Sequence, residues 1–346
     1  MNLLIFKLSP IGDTVLFLPV LQAIRSLRPE WRVTVFTTPV CAALYRPFLD
    51  SGDIVAVERA SLQRSWRNPW VLLGWLRRVR RLRPDAVLLS FDQSSMARVL
   101  AGASGAAVRI AGMGSSVRWR GGLTDEVGIS AGHSIAEWEW EMARVLARTS
   151  GLEWPKGPAV PLIAGATGSR AGVRPRVLVH AGASRAYQLW PAASYIELAE
   201  KLSSDCEVTW INLPAITPRR PSAPVTVADS SDLTAFIALA GACDLFVGNH
   251  SGPFHIACAM GVACVIPTGP TLPACDPPWN RDRVRLLRRS GLACMPCDKL
   301  VVSPNRCLNA LSPMACLDYW TVEAVERVCR EMLAGTRCGA DLPRSE

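Results

Sequence analysis

One pattern constrains this chain more than any other. A short apolar run, a turn of small residues, a stretch at helical spacing and a second apolar run recur along it, in two series. Leu3 to Leu8 is an apolar run that enters Ser-Pro-x-Gly-Asp, which reads as a buried strand meeting a tight turn. Thr14 to Leu27 then carries Val15, Leu18, Leu21, Ile24 and Leu27 at helical spacing, with Pro29 marking the end. Val33 to Phe36 reads as a second strand. Strand, helix, strand implies a parallel sheet with right-handed crossovers. Asp85 to Ser90 and Ala107 to Ile110 extend the first series as strands, with a helix expected over Ser95 to Ala101.

Ile163 to Arg174 is small, flexible and basic, and reads as a linker. A second series follows. Strands are expected at Arg176–His180, Glu207–Ile211, Asp244–Val247 and Ala263–Ile266. Helices are expected at Pro191–Leu202, Leu233–Ala240, Pro253–Met260 and Thr321–Leu333. The 346 residues, 49% of them hydrophobic, suffice for two cores rather than one. The expectation is therefore an α/β chain of two Rossmann-like, doubly wound domains, 1–163 and 174–334, facing across a ligand cleft.

Three segments carry the candidate chemistry. Gly12-Asp13 stands where the first strand gives way to a helix. Asp13 reads either as a helix cap or as a carboxylate positioned for general-base work. His180-Ala-Gly-Ala-Ser184 ends the first strand of the second series, and such a small-residue turn lets backbone N–H groups approach a phosphate. Arg185, Gln188 and Trp190-Pro191 follow it. Gly248-Asn-His-Ser-Gly-Pro-Phe-His255 leads from a strand into an apolar helix. That places Ser251, Gly252 and Pro253 at a helix N-terminus, where dipole and unpaired N–H groups favour an anion. His255 in the first turn is either a packed core residue or a ligand contact.

Together these segments resemble glycosyltransferase family 9, the heptosyltransferases of lipopolysaccharide core assembly and of some autotransporter modification. The carrying residues are Lys7-Leu8-Ser9, Gly12-Asp13, Leu18-Pro19, Gly182-Ala183-Ser184, Trp190-Pro191 and Gly248-Asn249-x-Ser251-Gly252-Pro253-x-His255. The resemblance spans Leu3 to about Met332. It implies a GT-B fold and inverting transfer from a nucleotide-sugar donor, usually ADP-L-glycero-D-manno-heptose. The acceptor would be a glycolipid, a protein side chain or another hydroxyl compound. It implies Asp13 as the base, and donor binding by Gly12, Ala183, Ser184, Arg185, Gln188, His250, Ser251, Gly252, Pro253 and His255, with no metal in the chemistry. Two positions depart from the family pattern. Gln188 stands where a lysine is usual and His250 where an aspartate is usual, and His250 or Arg185 is the expected substitute for the missing cation. The alternative reading is a degenerate member that binds a nucleotide or glycan without turnover. A nucleotide-sugar epimerase is disfavoured because no further carboxylate set is evident.

Cys294-x-x-Cys297, with Cys307 and Cys316, has the composition of a thiolate site for a structural zinc or iron, or is four ordinary cysteines. The polar loop Leu300–Leu311 has little apolar pattern, so a metal would be what folds it. Related cysteine patches hold iron in autotransporter heptosyltransferases, at a different spacing. Cys243, Cys258, Cys264 and Cys329 read as core.

Trp70 to Arg83 is arginine-rich, with an apolar stripe expected at Trp70, Leu73, Leu76, Val79 and Leu82. Its arginines form either a solvated face or a contact with a phosphorylated acceptor or an anionic membrane surface, to which Arg118 and Arg120 around Trp119 would add. The net charge of +9 suits anionic partners, and no nucleic-acid motif is present. No signal peptide or membrane span is evident, which predicts a cytoplasmic protein, peripheral to the inner membrane where the basic face engages it. Asp92, Gln93 and Ser94 close a first-series strand on the side expected for the acceptor.

Overall fold

The computed structural model describes residues 1–90, 94–112, 122–128, 133–163, 174–217, 219–222, 224–229, 232–298 and 306–338. Asp92, Gln93, Arg118, Trp119, Arg120 and all but the two ends of the expected linker lie outside these residues. The chain divides into two compact units. One is Met1–Leu162 with Ala274–Asp276, and the other is the remainder from Ile163.

The first unit is built on a six-stranded parallel sheet. Its strands are β1 (Asn2–Lys7), β2 (Arg32–Thr37), β3 (Ile54–Ala56), β4 (Ala86–Leu89), β5 (Val108–Gly112) and β6 (Asp125–Val127), in the order β3-β2-β1-β4-β5-β6. Its helices are α1 (Ile11–Leu27), α2 (Ala42–Tyr45), α3 (Arg59–Arg64), α4 (Pro69–Arg81), α5 (Ser95–Gly102) and α6 (Ile135–Thr149). The central strands are buried on both faces, as parallel strands sandwiched by helices must be. On one face Phe6, Phe36, Val87, Leu89 and Val79 form a common core with Met96 and Leu100 of α5.

The second unit repeats the plan. Its strands are β7 (Arg176–His180), β8 (Glu207–Ile211), β9 (Thr226–Ala228), β10 (Leu245–Gly248), β11 (Ala263–Thr268) and β12 (Val284–Arg288), and the sheet runs β12-β11-β10-β7-β8-β9. Its helices are α7 (Ala192–Leu202), α8 (Leu233–Ala242), α9 (Gly252–Ala259), α10 (Ala315–Asp318) and α11 (Val322–Cys338). Read from the other edge, this is the same order as in the first unit: third, second, first, fourth, fifth, sixth strand. Each sheet therefore reverses direction between its first and fourth strands, at β1/β4 and at β7/β10. Ligands of open α/β sheets bind beside such a reversal, outside the carboxyl ends of the strands.

Local chemistry sets the helix starts. Asn68 caps α4 by accepting from the N–H groups of Trp70 and Val71, with Pro69 at the first helical position. Ser134 and Glu137 close a capping box on α6. Ser94 caps α5 and Asp232 caps α8. α1 differs from expectation. It begins at Ile11, three residues early, with Pro10 at the cap position and no side-chain cap. Asp13 thus lies within the first turn and does not cap, although a carboxylate there still complements the helix dipole. Pro191 likewise precedes α7 as its cap residue and does not open the helix. Among the described residues no helix is long and apolar enough to cross a membrane.

The buried stripe of α4 also differs. Leu72, Trp75, Leu76, Val79 and Leu82 pack on the core, while Trp70 is 79% exposed. Val79 and Leu72 lie seven residues apart on the inner face, and Trp70 falls on the opposite one.

Candidate functional site

In the second unit the loops after β7 and β10 are neighbours, because the strands pair with Gly248 opposite His180. Two glycines allow the close approach. A Cβ on Gly248 would stand 2.9 Å from the His180 carbonyl oxygen, and one on Gly182 would stand 2.8 Å from the His180 ring. The His180 Nδ1 accepts the Gly182 N–H at 3.2 Å, and burial pushes its pKa down to about 4. The imidazole is therefore neutral at physiological pH, in the tautomer that leaves Nδ1 as acceptor.

Asn249, fully buried, joins the two loops. Its Oδ1 accepts from the Trp190 N–H at 2.8 Å and from the Tyr195 hydroxyl at 3.1 Å, and its Nδ2 donates to the Ala181 carbonyl at 2.8 Å. One amide thus satisfies groups on the β7 loop, the entry to α7 and α7 itself. Such an arrangement is rigid because a buried polar group left unpaired costs about 1–3 kcal/mol.

Ser251 occupies the cap position of α9 but does not cap it. Its hydroxyl donates to the Asn249 carbonyl at 3.2 Å and to the Gly182 carbonyl at 3.4 Å. The start of α9 thus has no side-chain cap, and a helix start of this kind suits an anion. Ala183, Gly252 and Pro253 are half-buried and Ser184 is exposed. His250 and His255 are both buried, with ring centroids 5.3 Å apart and nearly perpendicular. The helix start thus brings the two histidines together.

Asp298 was not singled out from the sequence. It is buried, and three donors converge on its carboxylate: Arg185 Nη1 at 3.3 Å, the Tyr187 hydroxyl at 2.9 Å and Gln188 Nε2 at 3.1 Å. The Tyr187 hydroxyl is pushed up by burial first, then by its bond to that carboxylate. Arg185, one of the two expected substitutes for the lysine, is partly exposed and pairs with this carboxylate, and Gln188 bonds the same group as a neutral donor. Asp298 escapes a motif reading because its partners lie more than 100 residues away.

The first unit holds the other candidates. Gly12 is buried and Asp13 half-buried in the first turn of α1, at the carboxyl end of β1. Beside them Cys41 accepts from the Thr14 hydroxyl at 3.4 Å. Burial first, with a smaller contribution from the Asp13 charge, raises that thiol's pKa. At the end of β1, Lys7 Nζ lies 2.7 Å from Glu139 Oε1 of α6, and both side chains are fully buried. Ser90, which follows β4, donates to the same carboxylate oxygen. The strand reversal of this unit is thus closed by an ion pair that joins β1, β4 and α6. Lys7 is visible in the opening motif, whereas Glu139 sits in an ordinary helical pattern.

The four cysteines expected to bind metal lie in one neighbourhood. Burial pushes the Cys297 thiol up to about 11, reinforced by Cys294, Cys307 and Cys316 in turn. Cys297 Sγ donates to the Cys294 carbonyl at 3.0 Å, and Cys307 Sγ accepts the Met314 N–H at 3.4 Å. Yet among the described residues no group of three or more His, Cys, Asp or Glu side chains is placed to hold a metal ion. As placed, the thiols do not form the expected tetrahedral site. Nor does the segment depend on metal for all its anchorage. Cys316 and Leu317 are in the core, with Leu292, Met295 and Met314 packed against it. Of the other cysteines, Cys258, Cys264 and Cys329 are buried in the core and Cys243 is half-buried.

Residues 163–303 match the family model described as glycosyltransferase family 9 (heptosyltransferase). That stretch, less than half of the chain, is similar to the family. The lipooligosaccharide heptosyltransferase 2 of Campylobacter jejuni is 36% identical over 73 residues, which is 20% of this chain and 23% of the relative. The match thus spans less than a quarter of that relative's length. Among solved structures, the ADP-heptose lipopolysaccharide heptosyltransferase II of E. coli superposes with a TM-score of 0.72 at 19% identity, covering 97% of this chain and 100% of the other. The E. coli heptosyltransferase WaaC with ADP-2-deoxy-2-fluoro heptose gives 0.66 at 16%, covering 96% and 99%. At these identities the structures speak to the fold, which is GT-B-like, as the resemblance implied.

Proposed function

We propose that this chain is a heptosyltransferase of that family, which transfers a heptose, or a closely related sugar, from a nucleotide-sugar donor to a hydroxyl group of a lipopolysaccharide core, with inversion. ADP-heptose is the favoured donor. The observation that carries the reading is the β7/β10 strand reversal. There a small-residue loop and the uncapped N-terminus of α9 are locked together by Asn249, and the segment lies inside the family match. Backbone N–H groups held in this way suit a diphosphate, whose charge grows as the sugar leaves.

In this reading the Asp13 carboxylate takes the proton from the acceptor hydroxyl. The oxygen forms a bond to the anomeric carbon as the bond from that carbon to the phosphate oxygen breaks, and the nucleoside diphosphate departs with the electron pair. Gly12, Ala183, Ser184, Arg185, Gln188, His250, Ser251, Gly252, Pro253 and His255 would surround the donor. His250 or Arg185 would stand in for the absent lysine. A structural zinc or iron at the cysteines is supported by their spacing and mutual proximity and not by their present geometry. Elemental analysis of the purified protein tests it, and no chemical step is assigned to it.

The test is nucleotide release from ADP-heptose with a heptose-acceptor glycolipid, beside Asp13→Ala. The reading expects release in the native protein, a loss of about 100-fold or more in the variant, and unchanged donor affinity. Tight ADP binding without release from any donor would instead support a binder without turnover.

A further inference from the structure

We propose that α3, α4 and the turn between them form a membrane-docking surface for anionic lipid, used by the first unit independently of what its site does. Three observations converge on it.

The first is charge. From Arg59 to Pro84 the chain has eight arginines (59, 64, 67, 77, 78, 80, 81 and 83) and no aspartate or glutamate. This one segment carries nearly the whole excess positive charge of the molecule. Arg80 Nε donates to the Ala103 carbonyl at 2.9 Å, and Arg78 lies over the rings of Phe36 and Trp75.

The second is the geometry of α4. The face opposite Val79 carries Trp70, Gly74, Arg77 and Arg81, at i, i+4, i+7 and i+11, and all four are exposed. A Cβ on Gly74 would meet nothing within 4 Å. The face is a straight line about 20 Å long, with a tryptophan at one end and guanidinium groups at the other.

The third is the aromatic end. Trp66 is 55% exposed, Trp70 79% and Val71 44%. Two indoles and a valine standing in water beside Arg64 and Arg67 add nothing to the core, which α4 reaches through Leu72, Trp75, Leu76 and Val79.

A bilayer interface is the partner that uses both properties. Indoles partition to headgroup depth, and arginines gain from anionic headgroups. Stable attachment takes two such signals, because one alone is marginal. A soluble polyanion would use the arginines and leave the tryptophans idle.

The experiment is co-sedimentation of the full chain with vesicles of phosphatidylcholine alone and of phosphatidylcholine with phosphatidylglycerol. Partitioning is expected only on the anionic vesicles. The double variant W66S/W70S is expected to weaken it about tenfold, and R77Q/R81Q to weaken it about tenfold at low salt and little at high salt. Thermal melts of both variants should match the native protein, since every changed side chain is exposed, and they exclude misfolding as the cause. Equal partitioning on the two vesicle types would overturn the proposal. So would undiminished binding by W66S/W70S together with equal competition by heparin, which would leave a general polyanion surface.

Discussion

The two sheets share one strand order, yet their strand reversals are closed by opposite chemistry. At β1/β4 the joint is a fully buried ion pair, Lys7 with Glu139, which also takes the Ser90 hydroxyl. At β7/β10 it is a neutral amide, Asn249, which makes three close bonds to the surrounding loops and helix. A neutral joint keeps fixed charge away from backbone N–H groups meant for an anion. A charged joint can be tolerated where an attacking hydroxyl must meet a carboxylate, since its net charge is zero. In the proposed reading the neutral joint serves a phosphate in the second unit and the charged joint a base in the first.

The ion pair gives the largest expected effect. Glu139→Gln, or Lys7→Met alone, leaves a buried charge without its partner, at a cost of about 3–5 kcal/mol. The double change Lys7→Met with Glu139→Leu should recover most of it, because paired removal of buried charge is often neutral. Denaturant melts of the four proteins decide. If the single and double variants were equally destabilised, the joint would be a packing feature and the comparison would fail. Asn249→Leu is the matching change in the second unit. It strips the Trp190 N–H and the Ala181 carbonyl of their partner, and the expected loss is about 2–4 kcal/mol, with ADP affinity falling alongside stability.

Acid provides a third probe. His180 titrates at about 4 in the fold and near 6.5 in the unfolded chain, so between these values the unfolded state binds more protons. Its contribution is fully present above about pH 6.5 and is lost as pH falls toward 4. It amounts to about 2 kcal/mol after discounting for the partial exposure of the ring. His180→Asn should flatten this limb of the stability profile while leaving the region above pH 7 nearly unchanged. A limb of unchanged slope would place the titrating group elsewhere.

The fold was legible because parallel strands and their crossover helices leave separate periodicities. β7 and β8 coincide with the expected segments, and the motif glycines fall at the strand reversal. What escaped depended on long-range contact. Trp70 shares a helical ladder with Leu73 and Leu76, and only the packing of Leu72 and Trp75 decides which edge of that ladder is buried. Glu139 has the company of an amphipathic helix and acquires its meaning from Lys7, 132 positions earlier. The cysteine segment looked polar because its anchors, Leu292, Met295, Met314 and Leu317, are spread around the thiols and lie outside Leu300–Leu311.

Asp298 offers the finest test of the contrast between the two joints. It brings a carboxylate into a region that otherwise avoids fixed negative charge, and Arg185, Tyr187 and Gln188 compensate it. If its task is to hold the β7 loop in shape, Asp298→Asn retains an acceptor for two of the donors but turns an N–H₂ group toward one of them, loosening residues 185–188. ADP affinity should then fall about threefold to tenfold, roughly 1 kcal/mol, with the melting temperature shifted by only a few degrees. If the carboxylate merely withdraws the Arg185 charge from the donor, the same change frees the guanidinium and affinity rises, most strongly at low salt. The sign of the change in calorimetric ADP binding separates the two. Gln188→Lys supplies the check: a cation placed at 188 against the intact carboxylate should gain little affinity, and in the Asp298→Asn background it should gain more.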